Sequence, residues 1–564
     1  MTLPQPIKHE FTPSDRPAGD LSVLEGLHNA LVAMPTDSGK HLMAYLQAWN
    51  EFDAWVGEHV RMSQLATQLD TTDAAAQAHW MHLVANVIPT LSQWDDQLGK
   101  KLLASEAVND LIGTPFEPFV RQVRKGVELF REENIALHTR ESELENDYNK
   151  ISGAWLTEFQ GGKHTRSGMM QFLVSPDRDV RKSSWEALAQ TTLNDADALD
   201  DVWEGLFELR GKIAHNCGYE NYRDYIFAAK MRDYGPDACF AYHELIAEEV
   251  VPLAQEVNEM LQGRLGLESW RPWDSMADPT GGEPLRPFKT ATELQDGVER
   301  MMRRLDAELG EQFHLIREHQ DLESRPGKSQ GGFMMTLPMS RRPYIFMNAS
   351  GMHSDVVTML HEAGHAFHFL LSTHNRPMAS TSVPMEFNEV ASMSMELLHY
   401  ETLDEFYPED DRKRAIHQHL RRIPSLLTSV ARGDAFQHEL YTKLDHTREQ
   451  RHSIWLEQDR RFSTGVNWDG IDQNLRSKSW HSILHFFVVP FYYIEYGFAQ
   501  LGALQVAMNA DKDPIEALSK YRNALSLGPQ ADTEGLYAAA GAQFVPTRER
   551  VREMMNWIRR GLEL

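Results

Sequence analysis

The chain has 564 residues, of which 42% are hydrophobic and 24% are charged. Its 56 Lys and Arg against 82 Asp and Glu give a formal net charge of −26. This composition excludes an intrinsically disordered or fibrous chain. The negative charge argues against a general nucleic-acid or anionic-membrane binder. The length is sufficient for about three to four average domains, or for one large helical body.

The compartment is predicted from cysteine content and from apolar stretches. The sequence carries two cysteines, Cys217 and Cys239, which we interpret as small buried hydrophobic residues. A secreted protein held by disulfides usually carries more, and the N-terminus has no signal-peptide pattern, so we expect a cytoplasmic protein. The most apolar stretch, residues 483–508, includes Pro490 and Glu495. We therefore predict a buried helix there and no membrane span.

Helical patterning begins near the N-terminus and continues along the chain. Apolar residues recur at three- and four-residue spacing in residues 21–60, 116–135 and 180–209. This spacing is typical of a helix with one buried face. The segment Ser175-Pro176-Asp177 has the composition of a helix start.

Turn and strand signals are concentrated in the second quarter and the middle of the chain. Residues 270–287 and 325–343 are rich in Pro and Gly, which predicts loops or junctions. The run from Tyr344 to Asn348 is one of the few strand candidates, and we consider that it pairs with an extended peptide. The sequence therefore predicts a mostly α protein with a small sheet just before its most informative motif.

That motif is His361-Glu362-Ala363-Gly364-His365. Two histidines four residues apart on a helix lie on one face, so both imidazoles can reach the same ion. Glu362 can reach a water on that ion without binding the ion itself. The alternative is a pair of helix histidines that meet solvent or core.

The surrounding residues favour a metal site. Apolar runs at residues 356–360 and 366–371 predict a buried helix, whose polar cluster then needs a partner such as a metal. A catalytic zinc also needs a third protein ligand. Glu386, Glu389 and Glu396 are candidates on a second helix starting near residue 384, and spacing alone does not choose among them.

Residues 361–368 and 387–392 together resemble the M3 family of zinc oligopeptidases, most closely its oligoendopeptidase F branch, with thimet oligopeptidase and neurolysin as relatives. The resemblance implies that Glu389, 28 residues after His361, is the third ligand. Glu386 and Glu396 then support the site or lie at the surface. Further segments that resemble the family are residues 218–225, 271–274, 331–333, 343–348 and 434–437.

A second cluster of candidate residues lies in residues 485–497. Tyr492 and Tyr496 are four apart, and Tyr493 and Tyr496 three apart, so either pair can share a helix face. On spacing alone, such tyrosines are ordinary core residues. The resemblance implies that His485, Tyr493 and Tyr496 stabilise the transition state, with Tyr496 as the oxyanion donor and His485 as a second donor. The adjacent Tyr492 leaves the register ambiguous by one residue.

The function implied by the resemblance is a zinc-dependent oligoendopeptidase that cleaves internal bonds of short unstructured peptides through a metal-activated water. One zinc per chain is expected on His361, His365 and Glu389, with Glu362 as the general base. His368, one turn further on, either hydrogen-bonds the substrate or a ligand carboxylate, or packs as an ordinary helix histidine.

The architecture implied is a two-lobed helical body with a deep substrate channel. Residues 1–152 are expected to form an N-terminal helical region that walls the channel, and residues 153–564 the catalytic region. The expected partners are short peptides, with no nucleic acid and no membrane, and the oligomeric state is open. The alternatives are a zinc carboxypeptidase or dipeptidyl carboxypeptidase on the same scaffold, and a non-catalytic helical peptide-binding protein.

Overall fold

The computed structural model describes residues 3–329, 331–373, 377 and 383–564 of the chain. Helices account for most of these residues, which confirms the predicted mostly α class. The α-helices are α1 (Leu21–Ala33), α2 (Gly39–Leu69), α3 (Ala74–His82), α4 (Ile88–Leu103), α5 (Glu117–Leu129), α6 (Glu132–Gly153), α7 (Arg166–Leu173), α8 (Arg178–Asn194), α9 (Ala196–Asn216), α10 (Tyr222–Ala229), α11 (Pro236–Leu245), α12 (Val251–Arg264), α13 (Ala291–Leu305), α14 (Ala307–Leu315), α15 (His353–Thr373), α16 (Met385–Leu398), α17 (Glu409–Leu420), α18 (Arg422–Thr442), α19 (Arg448–Arg461), α20 (Gln473–Ser477), α21 (Leu484–Val488), α22 (Tyr493–Ala510), α23 (Pro514–Leu527), α24 (Thr533–Ala539) and α25 (Arg548–Leu562). The strands are β1 (Thr157–Phe159), β2 (Gly162–His164), β3 (Gln320–Glu323), β4 (Phe333–Leu337) and β5 (Arg342–Ala349).

The chain divides into two compact units. Unit 1 comprises Met1–Phe130, Leu285–Ala415 and Gly502–Phe544. Unit 2 comprises Arg131–Pro284, Ile416–Leu501 and Val545–Leu564. The expected regions 1–152 and 153–564, and the channel, stay predictions.

The N-terminal helices of unit 1 form a core of their own. The rings of Trp49 and Phe119 meet edge-on with centroids 5.0 Å apart, and the buried Tyr45 hydroxyl donates to the Leu98 carbonyl at 3.0 Å. Burial of this apolar surface is what holds helices α1, α2, α4 and α5 together. Other buried members of this core are Leu24, Leu31, Leu42, Leu46, Phe52, Leu102 and Val120.

Unit 1 also contains a three-stranded sheet in the order β3-β5-β4. The central strand β5 is parallel to β3 and antiparallel to β4. The predicted strand at Tyr344–Asn348 therefore exists, but the interpretation that it pairs with a peptide is wrong at its centre. Ile345 and Phe346 already pair with strands on both sides, which leaves no backbone edge for another strand. Helix α15 follows β5 and packs against the sheet.

Unit 2 has an aromatic core. Trp203 contacts Trp480, Phe487 and Tyr441, with ring centroids 5.2 to 5.8 Å apart. Helix α8 of unit 2 begins at Arg178, two residues after Pro176 of the predicted helix start. Asp177 caps this helix, because its side chain accepts a hydrogen bond from the Asp179 N–H.

Two predictions from local composition need correction. Residues 325–343 are not all loop, since they include β4, whose apolar residues outweigh the neighbouring glycines. The predicted single helix in residues 483–508 is interrupted between α21 and α22, where Pro490 has no N–H for a helical hydrogen bond. None of the helices in the described part of the chain is long and apolar enough to cross a membrane.

Candidate metal centre

The metal-ligand candidates meet between helices α15 and α16 in unit 1. Glu389 Oε2 lies 3.4 Å from His361 Nε2 and 3.6 Å from His365 Nε2. One ligand atom from each residue falls within 4.8 Å of the others. Of the three glutamates that spacing left open, Glu389 is thus the one that faces both histidines.

Gly364 allows the two helices to approach each other. A Cβ atom on Gly364 would lie 2.5 Å from the Ala391 carbonyl oxygen and 2.6 Å from Ser392 Cα. No side chain fits at these distances, so the absence of one brings the Glu389 turn against the two histidines. The glycine lies within the sequence motif, but its role became apparent only from this packing.

Further hydrogen bonds orient the candidate ligands. His361 Nδ1 lies 2.7 Å from Glu396 Oε1, and the Ser392 hydroxyl donates to Glu389 Oε2 at 3.0 Å. Because Glu396 holds a proton on Nδ1, Nε2, which faces Glu389, is the nitrogen through which His361 would bind a metal. Glu396 therefore has a defined orienting contact.

Glu362 is a buried carboxylate whose pKa is raised in the metal-free site. Its side chain is buried, and its Oε2 has no hydrogen-bond partner among the described residues. Burial raises its pKa to about 7, the carboxylates of Glu389 and Glu396 add to the rise, and the His361 charge and the Met334 N–H oppose it. The carboxylate can therefore take up and release a proton under physiological conditions.

The charges of the ligand candidates fit a zinc ion. Burial lowers the pKa of His365 to about 4, so its imidazole is neutral and its lone pair is available. Burial alone would raise the pKa of Glu389, but the two histidines and Ser392 outweigh it and lower this pKa to about 2. Burial also opposes a charge on His361, yet Glu389 and Glu396 raise its pKa well above the usual value. Two imidazoles and one ionised carboxylate in a site that favours positive charge are a typical zinc donor set.

His368 contributes to packing between the same two helices. Its Nδ1 lies 3.0 Å from Asn388 Oδ1, and its ring meets Phe387 edge-on at 5.7 Å. This geometry supports the reading of His368 as a packed helix histidine. Asn388 was not singled out from the sequence, although it precedes Glu389 in the segment that resembles the family.

The second group of predicted residues forms a ring cluster in unit 2. The His485 ring lies 5.2 Å from that of Tyr493 and 5.8 Å from that of Tyr496, while Tyr492 and Tyr496 are 5.3 Å apart. Tyr493 begins α22 and Tyr492 precedes it, so only the pair Tyr493 and Tyr496 shares that helix. A joint action of this cluster with the metal ligands stays a prediction.

Buried charges hold the turn that precedes α22. Phe491 has φ +58°, a strained conformation for a bulky residue. Its N–H donates to Gln437 Oε1 at 2.9 Å, and its carbonyl accepts from Arg232. Arg232 also pairs with Glu495 at 2.8 Å. These contacts fix the start of α22 and with it the tyrosine cluster.

Known proteins resemble this chain in sequence. The sequence profile of Peptidase family M3 matches residues 171–556. An oligoendopeptidase F homolog of Borreliella burgdorferi is 22% identical over 448 residues, which cover 73% of this chain and 72% of that protein. The Group B oligopeptidase PepB of Streptococcus agalactiae is 21% identical over 421 residues, covering 71% and 67%.

Solved structures show the same fold. PZ peptidase A, determined with an inhibitor, has a TM-score of 0.89 at 23% identity, with 98% of this chain and 99% of that chain covered. Oligoendopeptidase-F from Enterococcus faecium has a TM-score of 0.66 at 14% identity, with 96% of each chain covered. Because the family profile spans more than half of the sequence and includes the His361–His365 motif, the chain belongs to peptidase family M3.

Proposed function

We propose that this peptidase is a zinc-dependent oligoendopeptidase that hydrolyses internal bonds of short, unstructured peptides. Family membership and the oligopeptidase relatives support peptide substrates. The observation that carries the proposal is that ligand atoms of His361, His365 and Glu389 lie close together. Glu362, the residue after His361, adds a buried carboxylate whose Oε2 has no hydrogen-bond partner in the described chain.

His361, His365 and Glu389 would hold one zinc ion. When bound, zinc polarises the scissile carbonyl and acidifies water. Glu362 then takes a proton from the attacking water at Oε2 and later gives it to the nitrogen of the departing amine. Glu362 Oε2 has no hydrogen-bond partner in the described chain and is therefore open to both transfers.

Strand β4 gives the substrate backbone a place to lie. It is an edge strand of its sheet, and the N–H of its residue Met334 donates to the Glu362 carboxylate. An extended peptide that reaches Glu362 therefore meets the edge of β4, where strand-like pairing can orient the scissile bond. This edge replaces the central strand β5 as the proposed peptide-binding strand.

Tyr496 is our proposed donor to the developing oxyanion, with His485 and Tyr493 in support. The proposal depends on the family resemblance and on the ring cluster of unit 2, in which all three side chains take part. If the hydroxyl acts only in the transition state, Tyr496→Phe lowers kcat by about 10²–10³-fold and leaves KM nearly unchanged. An unchanged kcat would remove Tyr496 from the mechanism.

The deciding experiment uses a peptide blocked at both ends and the variant Glu362→Gln. The wild-type enzyme should cut the blocked peptide internally, because an endopeptidase does not need a free terminus, whereas a carboxypeptidase or dipeptidyl carboxypeptidase should leave it intact. Glu362→Gln should keep its zinc and lose nearly all hydrolysis. Full turnover by this variant would refute the role of Glu362, and full activity after complete zinc removal would refute zinc dependence.

A further inference from the structure

Helices α11 and α18 of unit 2 bring a second set of metal-binding side chains together. Cys239 and His243 are four residues apart on α11, and Asp434 and His438 are four apart on α18, so each pair shares a helix face. Ligand atoms of Cys239, Asp434 and His438 lie within 4.8 Å of one another. His243 Nε2 lies 2.9 Å from Asp434 Oδ2. The sequence analysis assigned Cys239 only a packing role.

These side chains are buried, and Asp434 and His438 have polar atoms without a hydrogen-bond partner in the described chain. Cys239 and Asp434 are 0% exposed and His438 is 4% exposed. Within the described residues, Asp434 Oδ1 and His438 Nδ1 have no hydrogen-bond partner. The His438 Nε2 atom lies 3.2 Å from Asp434 Oδ2, so these two side chains face each other. A buried polar group left in this state destabilises the folded protein.

The surroundings of His438 offer it aromatic rings. Phe227, Phe240 and Phe491 lie around the imidazole with ring centroids 6.0, 5.0 and 5.2 Å away. These phenyl rings have no oxygen or nitrogen atom that could pair with the imidazole nitrogens of His438. A metal ion at the point where His438 meets Asp434 and Cys239 would satisfy the atoms that the protein leaves without hydrogen bonds.

We propose that Cys239, Asp434 and His438 hold a second, divalent metal ion. The types of ligand favour zinc, and the bound ion would link α11 to α18. A thiolate, a carboxylate and an imidazole are zinc ligands. The two anionic ligands neutralise the ion, which suits a site closed to solvent. His243 donates its Nε2–H to Asp434 Oδ2 and so orients the ligand carboxylate, as is usual around metal sites.

The spacing of the ligand atoms permits this ion. Bonds of about 2.0–2.3 Å in a tetrahedral site place ligand atoms roughly 3.3–3.8 Å apart. The ligand atoms here are separated by at most 4.8 Å, so closing on an ion requires side-chain shifts of at most about 1.5 Å. Rotation about the side-chain bonds of Cys239 and His438 can supply such a shift.

Another cluster in unit 2 differs from this one in its charge balance. Asp200, His452 and His481 also lie within reach of one another. However, the guanidinium of Arg451 lies 3.6 Å from Asp200 Oδ1. The positive charge of Arg451 already compensates Asp200 and opposes a cation there, so this cluster is excluded from the proposal.

The first test is a count of metal ions in the full-length protein. The double variant His361→Asn/His365→Asn lacks two ligands of the family site, by which we mean His361, His365 and Glu389. It should still retain about one zinc per chain after dialysis. Adding Cys239→Ser to it should remove this remaining zinc. Loss of all metal from the double variant, with none taken up from added zinc, would overturn the proposal. This test does not depend on peptidase activity.

The second test identifies the sulfur ligand with cobalt. Co²⁺ bound to a thiolate gives a charge-transfer band in the near ultraviolet, which the family site cannot produce because it contains no sulfur ligand. The band should appear in the double variant, persist in Cys217→Ser as the matched cysteine control, and disappear in Cys239→Ser. Its absence from the cobalt-loaded double variant, or its persistence in Cys239→Ser, would refute the assignment.

A third variant guards against misfolding. If Cys239→Ser fails to fold by circular dichroism, His438→Gln retains the thiol and removes the imidazole ligand. It should lower the affinity of this site for Co²⁺ by at least about 10-fold. Unchanged affinity in a folded His438→Gln protein would show that the buried cluster is a hydrogen-bond network and not a metal site.

Discussion

Gly364→Ala tests whether close packing of α15 and α16 places Glu389 at the metal. The new methyl group would lie 2.5 Å from the Ala391 carbonyl oxygen and 2.6 Å from Ser392 Cα. Comfortable contacts between such atoms begin near 3.5 Å, so the helices must separate by roughly 1 Å. The contacted atoms belong to the backbone, and no side-chain rotation can relieve the overlap.

The separation has two consequences that can be measured. Overpacking costs about 1–3 kcal/mol and the better helix propensity of Ala returns about 1 kcal/mol, so the apo protein should lose at most about 2 kcal/mol of stability. Metal sites tolerate distance errors of about 0.2 Å, well below the expected displacement of Glu389. We therefore expect zinc affinity to fall by at least about 10–100-fold, the range seen when contacts that orient ligands are removed.

The assay is a zinc titration in competition with a chromophoric chelator, together with thermal unfolding of the apo protein. Gly126→Ala on α5 is the matched control in the same unit, because nothing lies within 4 Å of its added Cβ. The control should bind zinc normally and unfold at the same or a slightly higher temperature. If Gly364→Ala bound zinc as tightly as the wild type, the argument that this glycine positions Glu389 would be wrong.

Three other predictions follow from the structure. Glu396→Gln weakens the hydrogen-bond acceptor for His361 Nδ1, so zinc affinity should fall by about 10-fold in the chelator titration. An unchanged affinity would show that Glu396 does not orient His361. Burial raises the pKa of Glu362 from 4.5 to about 7, so the apo protein loses stability as pH rises through this range. Above about pH 7, apo Glu362→Gln should therefore unfold at a higher temperature than the apo wild type, and this difference should vanish as the pH falls towards 4.5. A difference that does not change with pH would contradict the raised pKa of Glu362. Arg210 is fully buried among acidic side chains and backbone carbonyls, and Arg210→Met should cost about 3–5 kcal/mol in denaturant unfolding. The exposed pair of Arg140 provides the control, since Arg140→Met should cost less than about 1 kcal/mol.

Features that depend on neighbours in the chain were predictable from the sequence. The four-residue spacing of His361 and His365 predicted their shared helix face, and apolar periodicity predicted the mostly α class. The run at Tyr344–Asn348 predicted a strand. Errors arose where local signals conflicted, as at Pro490, where a strongly apolar stretch concealed the break between α21 and α22. Likewise, the glycines that precede β4 led to the prediction of a loop where this strand lies.

The choice among Glu386, Glu389 and Glu396 could be made from the residues only with the family resemblance, because all three are acidic and share one helix. In the tertiary structure, the approach of α16 to Gly364 directs Glu389 towards both histidines and Glu396 towards the far nitrogen of His361.

By itself, the sequence determined the helical class, the histidine pair and the candidate base, because these depend on spacing within one segment. The tertiary structure decided which acid faces the histidines and why Gly364 has no side chain. It also decided that Cys239 lies beside Asp434 and His438, about 200 positions later in the chain. Contacts between distant segments depend on how whole helices pack, and a residue's own neighbours in the sequence do not encode that packing.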